Sequence, residues 1–132
     1  MIPKNAVMRV ARPTDHLDAI ENMYVEGLGF EILGRFAGHD GFDGIMLGHK
    51  NNPYHLEFTH HHGVTVGKAP TADNLLVFYI SDMGQWQLAG KRMGEAGFTP
   101  ASSYNPYWDV VGKTFEDIDG YRVVLQNQEW SE

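Results

Sequence analysis

Gly27-Leu28-Gly29-Phe30-Glu31 and, half a chain later, Glu95-Ala96-Gly97-Phe98-Thr99 decide the fold, because the second stretch repeats the pattern of the first. In each, an apolar helical run stops at a glycine and the chain restarts at a phenylalanine. The same offset carries Asp15 onto Asp82, Gly44 onto Gly112 and Glu57 onto Val124. Self-similarity on this scale marks a duplicated supersecondary unit. Two such units are expected to pair, with the working surface between them.

The reading extends outward from there. Residues 7–12 form a first strand that Pro13 ends, and Thr14 or Asp15 caps the helix that follows by accepting from its orphan amides. Leu17, Ile20, Met23, Tyr24 and Gly27 or Leu28 recur at helical spacing, and Gly29 supplies a left-handed exit. Strands are expected at 31–36, 45–49 and 55–59, separated by Gly38-His39-Asp40-Gly41 and Asn51-Asn52-Pro53. Periodicity breaks from His60 to about residue 73, a linker. The second pass has a strand over 75–80 and a helix capped by Asp82, whose stripe Met83, Trp86, Ala89 and Met93 reads as core. Then come a short strand over 98–101, an aromatic loop over 102–108, and strands over 110–116 and 121–126. Asp117-Ile118-Asp119-Gly120 hinges the last two, and Glu116, Asp117 and Asp119 are assigned to that turn. The order is β-α-β-β-β twice, an α+β chain with units at about 7–59 and 74–127 within one domain spanning 1–132.

With 132 residues, 42% hydrophobic and 12% aromatic, the chain has ample material for a packed core. Ten basic against seventeen acidic residues give a formal charge of −7, which disfavours a phosphate-backbone partner and hence nucleic acid. The absence of cysteine excludes disulfides, thiolate metal sites and a thiol nucleophile. No apolar leader follows Met1, and the longest apolar run, 75–80, is too short to span a bilayer, so no membrane association and a cytoplasmic location are expected.

Tandem β-α-β-β-β units resemble the vicinal oxygen chelate superfamily, the group of glyoxalase I, extradiol dioxygenases and bleomycin- or fosfomycin-resistance proteins. Leu28-Gly29-Phe30 is similar to the family's LGF turn. Residues 114–122, Thr-Phe-Glu-Asp-Ile-Asp-Gly-Tyr-Arg, resemble its F-x-D-P-D-G hairpin, with Ile118 where proline is usual. The likeness covers about residues 7–126, and a small glyoxalase-like subgroup of unassigned activity matches it best. It implies an open, barrel-like curved sheet with a concave pocket, and a homodimer whose chains complete each other's pockets. Metal-dependent members carry ligands at four positions, which fall here on Arg9, Glu57, Leu75 and Val124. Of these only Glu57 can bind a metal, since a guanidinium has no lone pair to offer and leucine and valine have no donor at all. No cofactor is therefore expected, with a divalent metal on Glu57 and His55 as the remaining option.

Strand alternation puts His55, Glu57 and Thr59 on one face. Glu57 is either a general base or metal anchor, or the partner of Arg9 in a buried ion pair, the reading favoured. A buried pair predicts that Glu57→Gln costs roughly 3–5 kcal/mol. His60-His61-His62 are read as solvated linker histidines, since three neighbours on an extended segment cannot all face one ion. Tyr104, Tyr107 and Trp108, with Asn105, form either an aromatic pocket wall or a packed loop. Tyr79, Lys113, Arg122 and Gln126 are placed on the cavity side by alternation. Phosphate-binding glycine loops, Gly-x-Ser-x-Gly and His-Glu-x-x-His are absent.

Three functions compete. One is a binding protein that holds a small organic molecule without a metal, using Arg9, His55, Tyr79, Tyr107, Trp108, Lys113, Arg122 and Gln126. Another is an enzyme, either a metal-dependent lyase or dioxygenase with displaced ligands, or a metal-free lyase or isomerase using Glu57. The third is a structural or regulatory dimer with a filled cavity. Arg9, Lys113 and Arg122 lean the ligand towards an anionic or carboxylated molecule.

Overall fold

The computed structural model describes residues 1–131. The first unit runs β1 (Met8–Pro13), α1 (Leu17–Leu28), β2 (Glu31–His39), β3 (Phe42–Gly48) and β4 (Tyr54–His61). The second runs β5 (Leu75–Tyr79), α2 (Met83–Glu95), β6 (Thr99–Ala101), α3 (Tyr107–Val110), β7 (Gly112–Glu116) and β8 (Arg122–Gln126). Each unit builds a four-stranded sheet of the same order, β1-β4-β3-β2 and β5-β8-β7-β6. The first strand pairs in parallel with the last of its unit, and the other pairs are antiparallel. The duplication read in the sequence is thus a duplication of topology, and neither sheet closes into a barrel. Two of the repeat correspondences hold in space: Gly44 and Gly112 both sit in the third strand of their unit, and Glu57 and Val124 in the fourth.

Alternation decides which face of each sheet is apolar. Val10, Ile45, Leu47, Leu56 and Phe58 of the first sheet face inward, as do Leu76, Phe78, Phe115, Val123 and Leu125 of the second. Helix α1 adds Ile20, Met23 and Tyr24, and α2 adds Met93. This is one core shared by both units. The Tyr24 ring lies 4.9 Å from Phe58 of its own unit and 5.4 Å from Phe98 of the other. Each such side chain, fully buried, contributes about 1.5–3 kcal/mol. Gly27 permits the close approach, because a Cβ there would stand 2.9 Å from the Phe98 ring. No helix among the described residues is long and apolar enough to cross a membrane.

Several boundaries differ from the sequence reading. Strand β4 continues through His61, so His60 and His61 pair with Asp43 and Phe42 rather than opening the linker. Strand β2 continues to His39, and the turn narrows to Asp40 and Gly41, both at positive φ. Neither Thr14 nor Asp15 caps α1: the N-cap position is His16, and Asp15 instead accepts from the Val66 and Gly67 amides at 2.9 Å each. Asp82 does cap α2, accepting from the Gln85 amide. The aromatic loop contains a helical turn, α3, which delays β7 to Gly112. Met83 is exposed rather than core, whereas Trp86 and Ala89 of the same stripe pack partly buried against the core and Met93 is fully buried.

Candidate functional site

The outer face of the first sheet, away from the core, collects the polar residues singled out by alternation. Arg9 of β1 pairs in register with His55, and Ala11 with Glu57. The guanidinium then bridges both: Arg9 Nε donates to His55 Nε2 at 2.9 Å, and Arg9 Nη1 donates to Glu57 Oε2 at 3.3 Å. In that arrangement His55 Nε2 is the acceptor. The Arg9–Glu57 pair expected from the sequence exists, but it is not buried: Arg9 is 47% exposed and Glu57 15%. Arg9 has used two of its five N–H groups. Around the triad lie Met46 and Gly44 of β3, and Phe36 of β2 covers Gly44 so closely that a Cβ there would meet the ring at 2.2 Å. The face is therefore a polar triad beside an apolar shelf, and it is open.

The donor set does not suit a chelated divalent ion. The His55 lone pair is engaged by Arg9, Glu57 shares the same cation, and a fixed guanidinium between them repels a second positive charge. The two matching positions of the second unit, Leu75 and Val124, bring no donor. His60, expected in solvent, has Nδ1 3.1 Å from the Thr14 carbonyl, His61 stacks on Phe42 at 4.2 Å, and His62 lies 2.9 Å from Asp43. They point to three different partners rather than to one centre.

The second sheet's outer face differs from the first, being covered by its own chain. Val124, Thr114 and Gln126 are buried there beneath the 102–111 segment. Gly112 shows how closely α3 lies, since a Cβ would stand 2.3 Å from the Trp108 carbonyl oxygen. Ser103 and Thr114 hydroxyls are hydrogen bonded to each other. Tyr79 sits on this face at its edge, its ring 5.8 Å from Trp130. Arg122 is held by Glu116 and the Ser102 carbonyl, both at 3.0 Å. Tyr107 and Trp108 pack edge to face on α3, with Tyr107 exposed. Lys113 lies on the opposite face, its Nζ 4.6 Å from the Trp86 ring under α2, and so departs from the placement expected of it. Structure therefore joins Arg9, His55 and Glu57 to one another and leaves Lys113 outside.

A second polar group was not anticipated. Arg12 faces the core, with its guanidinium 3.9 Å from the Tyr121 ring centre and 4.9 Å from that of Phe58. Its Nη2 donates to Tyr24 Oη at 3.0 Å and to Asp117 Oδ2 at 2.9 Å, and the Tyr24 hydroxyl donates to the same carboxylate oxygen at 2.7 Å. Burial pushes the Asp117 carboxyl up from its ordinary value, against the pull of the Tyr24 hydrogen bond and the Arg12 charge. Burial likewise raises the Tyr24 phenol, which stays neutral. Beside it, Asp119 accepts from Thr14 Oγ1 at 2.6 Å and lies 3.1 Å from His16 Nδ1. The 117–120 turn thus ties the second unit to the first.

Residues 8–59 match the YycE-like N-terminal domain, and residues 73–127 the YycE-like C-terminal domain. Over 122 residues, 92% of this chain and 88% of the relative, the sequence is 41% identical to the uncharacterised protein YycE of Bacillus subtilis strain 168. The chain belongs to the YycE-like family. The crystal structure of B. subtilis YycE superimposes on this YycE-like chain with a TM-score of 0.90 at 39% identity, covering 98% of this chain and 94% of that one. The fosfomycin resistance protein FosX of Mesorhizobium loti gives a TM-score of 0.71 at 11% identity over 98% and 94% of the two chains. TnmS3, an antibiotic binding protein of Streptomyces sp. CB03234, gives 0.65 at 19% identity over 98% and 100%. All three share the fold of the YycE-like chain, two tandem β-α-β-β-β units with open four-stranded sheets. At such low identities the last two speak for fold alone.

Proposed function

We propose that this chain is a small-molecule-binding protein that uses the outer face of its first sheet without a metal. The observation that carries this is the Arg9 guanidinium fixed between His55 and Glu57, at a position where the superfamily's metal chemistry needs a ligand. Fixed in orientation, half in solvent and with N–H groups to spare, Arg9 offers directional donors to a ligand oxygen, while Met46 and Phe36 offer apolar contact. Lys113 and Arg122 do not add to the positive charge, one being on the other face and one already paired. The ligand is therefore a largely neutral organic molecule with an acceptor group, rather than a strongly anionic one. TnmS3 is an antibiotic binding protein of the same fold, which makes neutral antibiotics the first compounds to try.

A second copy completes the open face in this proposal. Two-fold pairing is the commonest symmetric solution, and the apolar side chains Val7, Met8 and Tyr79 at the sheet edges are exposed in the single chain. Light scattering should then give twice the chain mass.

The binding test is a calorimetric screen of antibiotics and related neutral compounds against the wild type, Arg9→Ala and Lys113→Ala. A ligand of this site weakens about tenfold or more with Arg9→Ala and is unchanged with Lys113→Ala. A compound indifferent to Arg9 and to Glu57→Gln would overturn the assignment. Elemental analysis after exposure to nickel, zinc and manganese is expected to show no ion whose retention depends on Glu57.

A further inference from the structure

Between the two units, away from the Arg9 face, lies a cavity of about 250 Å³. It exists because α1 and α2 present small residues to it, Gly27 and Ala89, while larger side chains stand around them. Phe30 and Phe78 form one wall, their ring centres 6.1 Å apart, and the Tyr54 ring stands 6.3 Å from Phe78. Tyr54, Phe78 and Tyr79 also line a neighbouring apolar cleft of about 470 Å³, so this aromatic wall is open on both sides. Such walls suit a planar apolar ligand. Apolar cavities of about 150 Å³ are known to accept benzene, and drug-sized ligands need about 300 Å³ or more. The volume thus selects a single ring with a short substituent.

The polar groups at the cavity specify the substituent. Arg9, Arg12, Arg35 and Arg122 each hold a carboxylate, whereas Arg92, on the last turn of α2 and lining this cavity, holds none among the described residues. Glu26 and Glu95 flank Arg92 on the side of an adjacent groove without reaching ion-pair distance. Burial raises the Tyr54 phenol, so its hydroxyl remains a neutral donor at the cavity wall. An unpaired guanidinium beside an aromatic-lined hollow is complementary to a carboxylate carried on a ring.

We propose that this inter-unit cavity is a second binding site, separate from the Arg9 face, for a monocyclic aromatic carboxylate. Benzoate is the probe and benzyl alcohol its uncharged counterpart. Amide and arginine side-chain NMR spectra of the full chain should shift at Gly27, His49 and Arg92 as benzoate is raised into the millimolar range. Arg92→Gln, an exposed substitution that leaves the core intact, should weaken benzoate about tenfold and leave benzyl alcohol unchanged. Ala89→Leu should fill the hollow and abolish both, and Arg9→Ala should alter neither. Absence of benzoate binding, shifts confined to His55 and Glu57, or equal affinity in Arg92→Gln would each overturn the proposal.

Discussion

Asp117 of the last hairpin accepts from Arg12 of the first strand at 2.9 Å, across 105 residues of sequence. The carboxylate is fully buried and the guanidinium nearly so, and the pair is what most directly couples the two units electrostatically. Removing one partner of a buried pair leaves the other charge without compensation. Asp117→Ala should therefore lower the stability by about 3–5 kcal/mol, measured as the midpoint of urea unfolding. A loss below about 1 kcal/mol would mean that Arg12 is held by the Tyr121 and Phe58 rings instead.

The other arginine pair should behave differently. Arg9 is 47% exposed, so water screens its attraction to Glu57. Glu57→Gln should cost about 1 kcal/mol or less in the same unfolding experiment, in place of the 3–5 kcal/mol expected of a buried pair. Its effect should be on ligand affinity. A large stability loss would show that a partner chain buries this face.

Asp15 carries the pH dependence of the linker. Hydrogen bonds from the Val66 amide, then the Gly67 amide, hold its carboxyl below the ordinary 3.8. A depressed folded-state pKa stabilises the ionised, latched form; that contribution is present above the ordinary carboxylate value and is lost as pH falls through the folded one. NMR shifts of the Val66 and Gly67 amides should titrate together, with a midpoint below 3.8. At neutral pH, Asp15→Ala should speed tryptic cleavage after the neighbouring Lys68, since both amides lose their acceptor. Unchanged cleavage would place the restraint elsewhere, in the Lys68 side chain's bond to the Ile118 carbonyl.

Local signals in the sequence explain which of these features were legible. Helical spacing and the glycine exits at 29 and 97 located both helices, and period-two alternation located His55, Glu57 and Thr59 on one face, while Arg9 came beside Glu57 only through the family resemblance. Alternation is only as good as the register assigned to it: Lys113 alternates with Phe115 and so lies beneath α2 rather than on the cavity side expected of it, and Arg12 alternates with Val10 and faces the core. Asp117 reads locally as a turn residue, and half of it is one: Oδ1 accepts from the Asp119 and Tyr121 amides. Its other oxygen reaches across the units, and no neighbouring residue signals that. The inter-unit cavity depends on how α1 packs on α2, a tertiary relation that neither helix encodes alone. The α3 turn leaves no signal in the sequence because Tyr107, Trp108 and Val110, aromatic or β-branched, and Asp109 all have little helical preference of their own.

Gly112 and Gly44 occupy matching places in the two units, yet substitution should separate them. A Cβ at Gly112 meets the Trp108 carbonyl at 2.3 Å, a backbone atom that cannot yield without lifting α3 from the sheet. A Cβ at Gly44 meets only the Phe36 ring, which can rotate from its partly exposed position. Gly112→Ala should cost about 1–3 kcal/mol and expose Trp108 to solvent, with its fluorescence shifting to the red. Gly44→Ala should cost less and leave that fluorescence unchanged, while altering the apolar shelf beside Arg9. If both variants cost the same and neither shifts Trp108, α3 does not cover the second sheet in solution, and the ligand face must include Val124 and Gln126 as well.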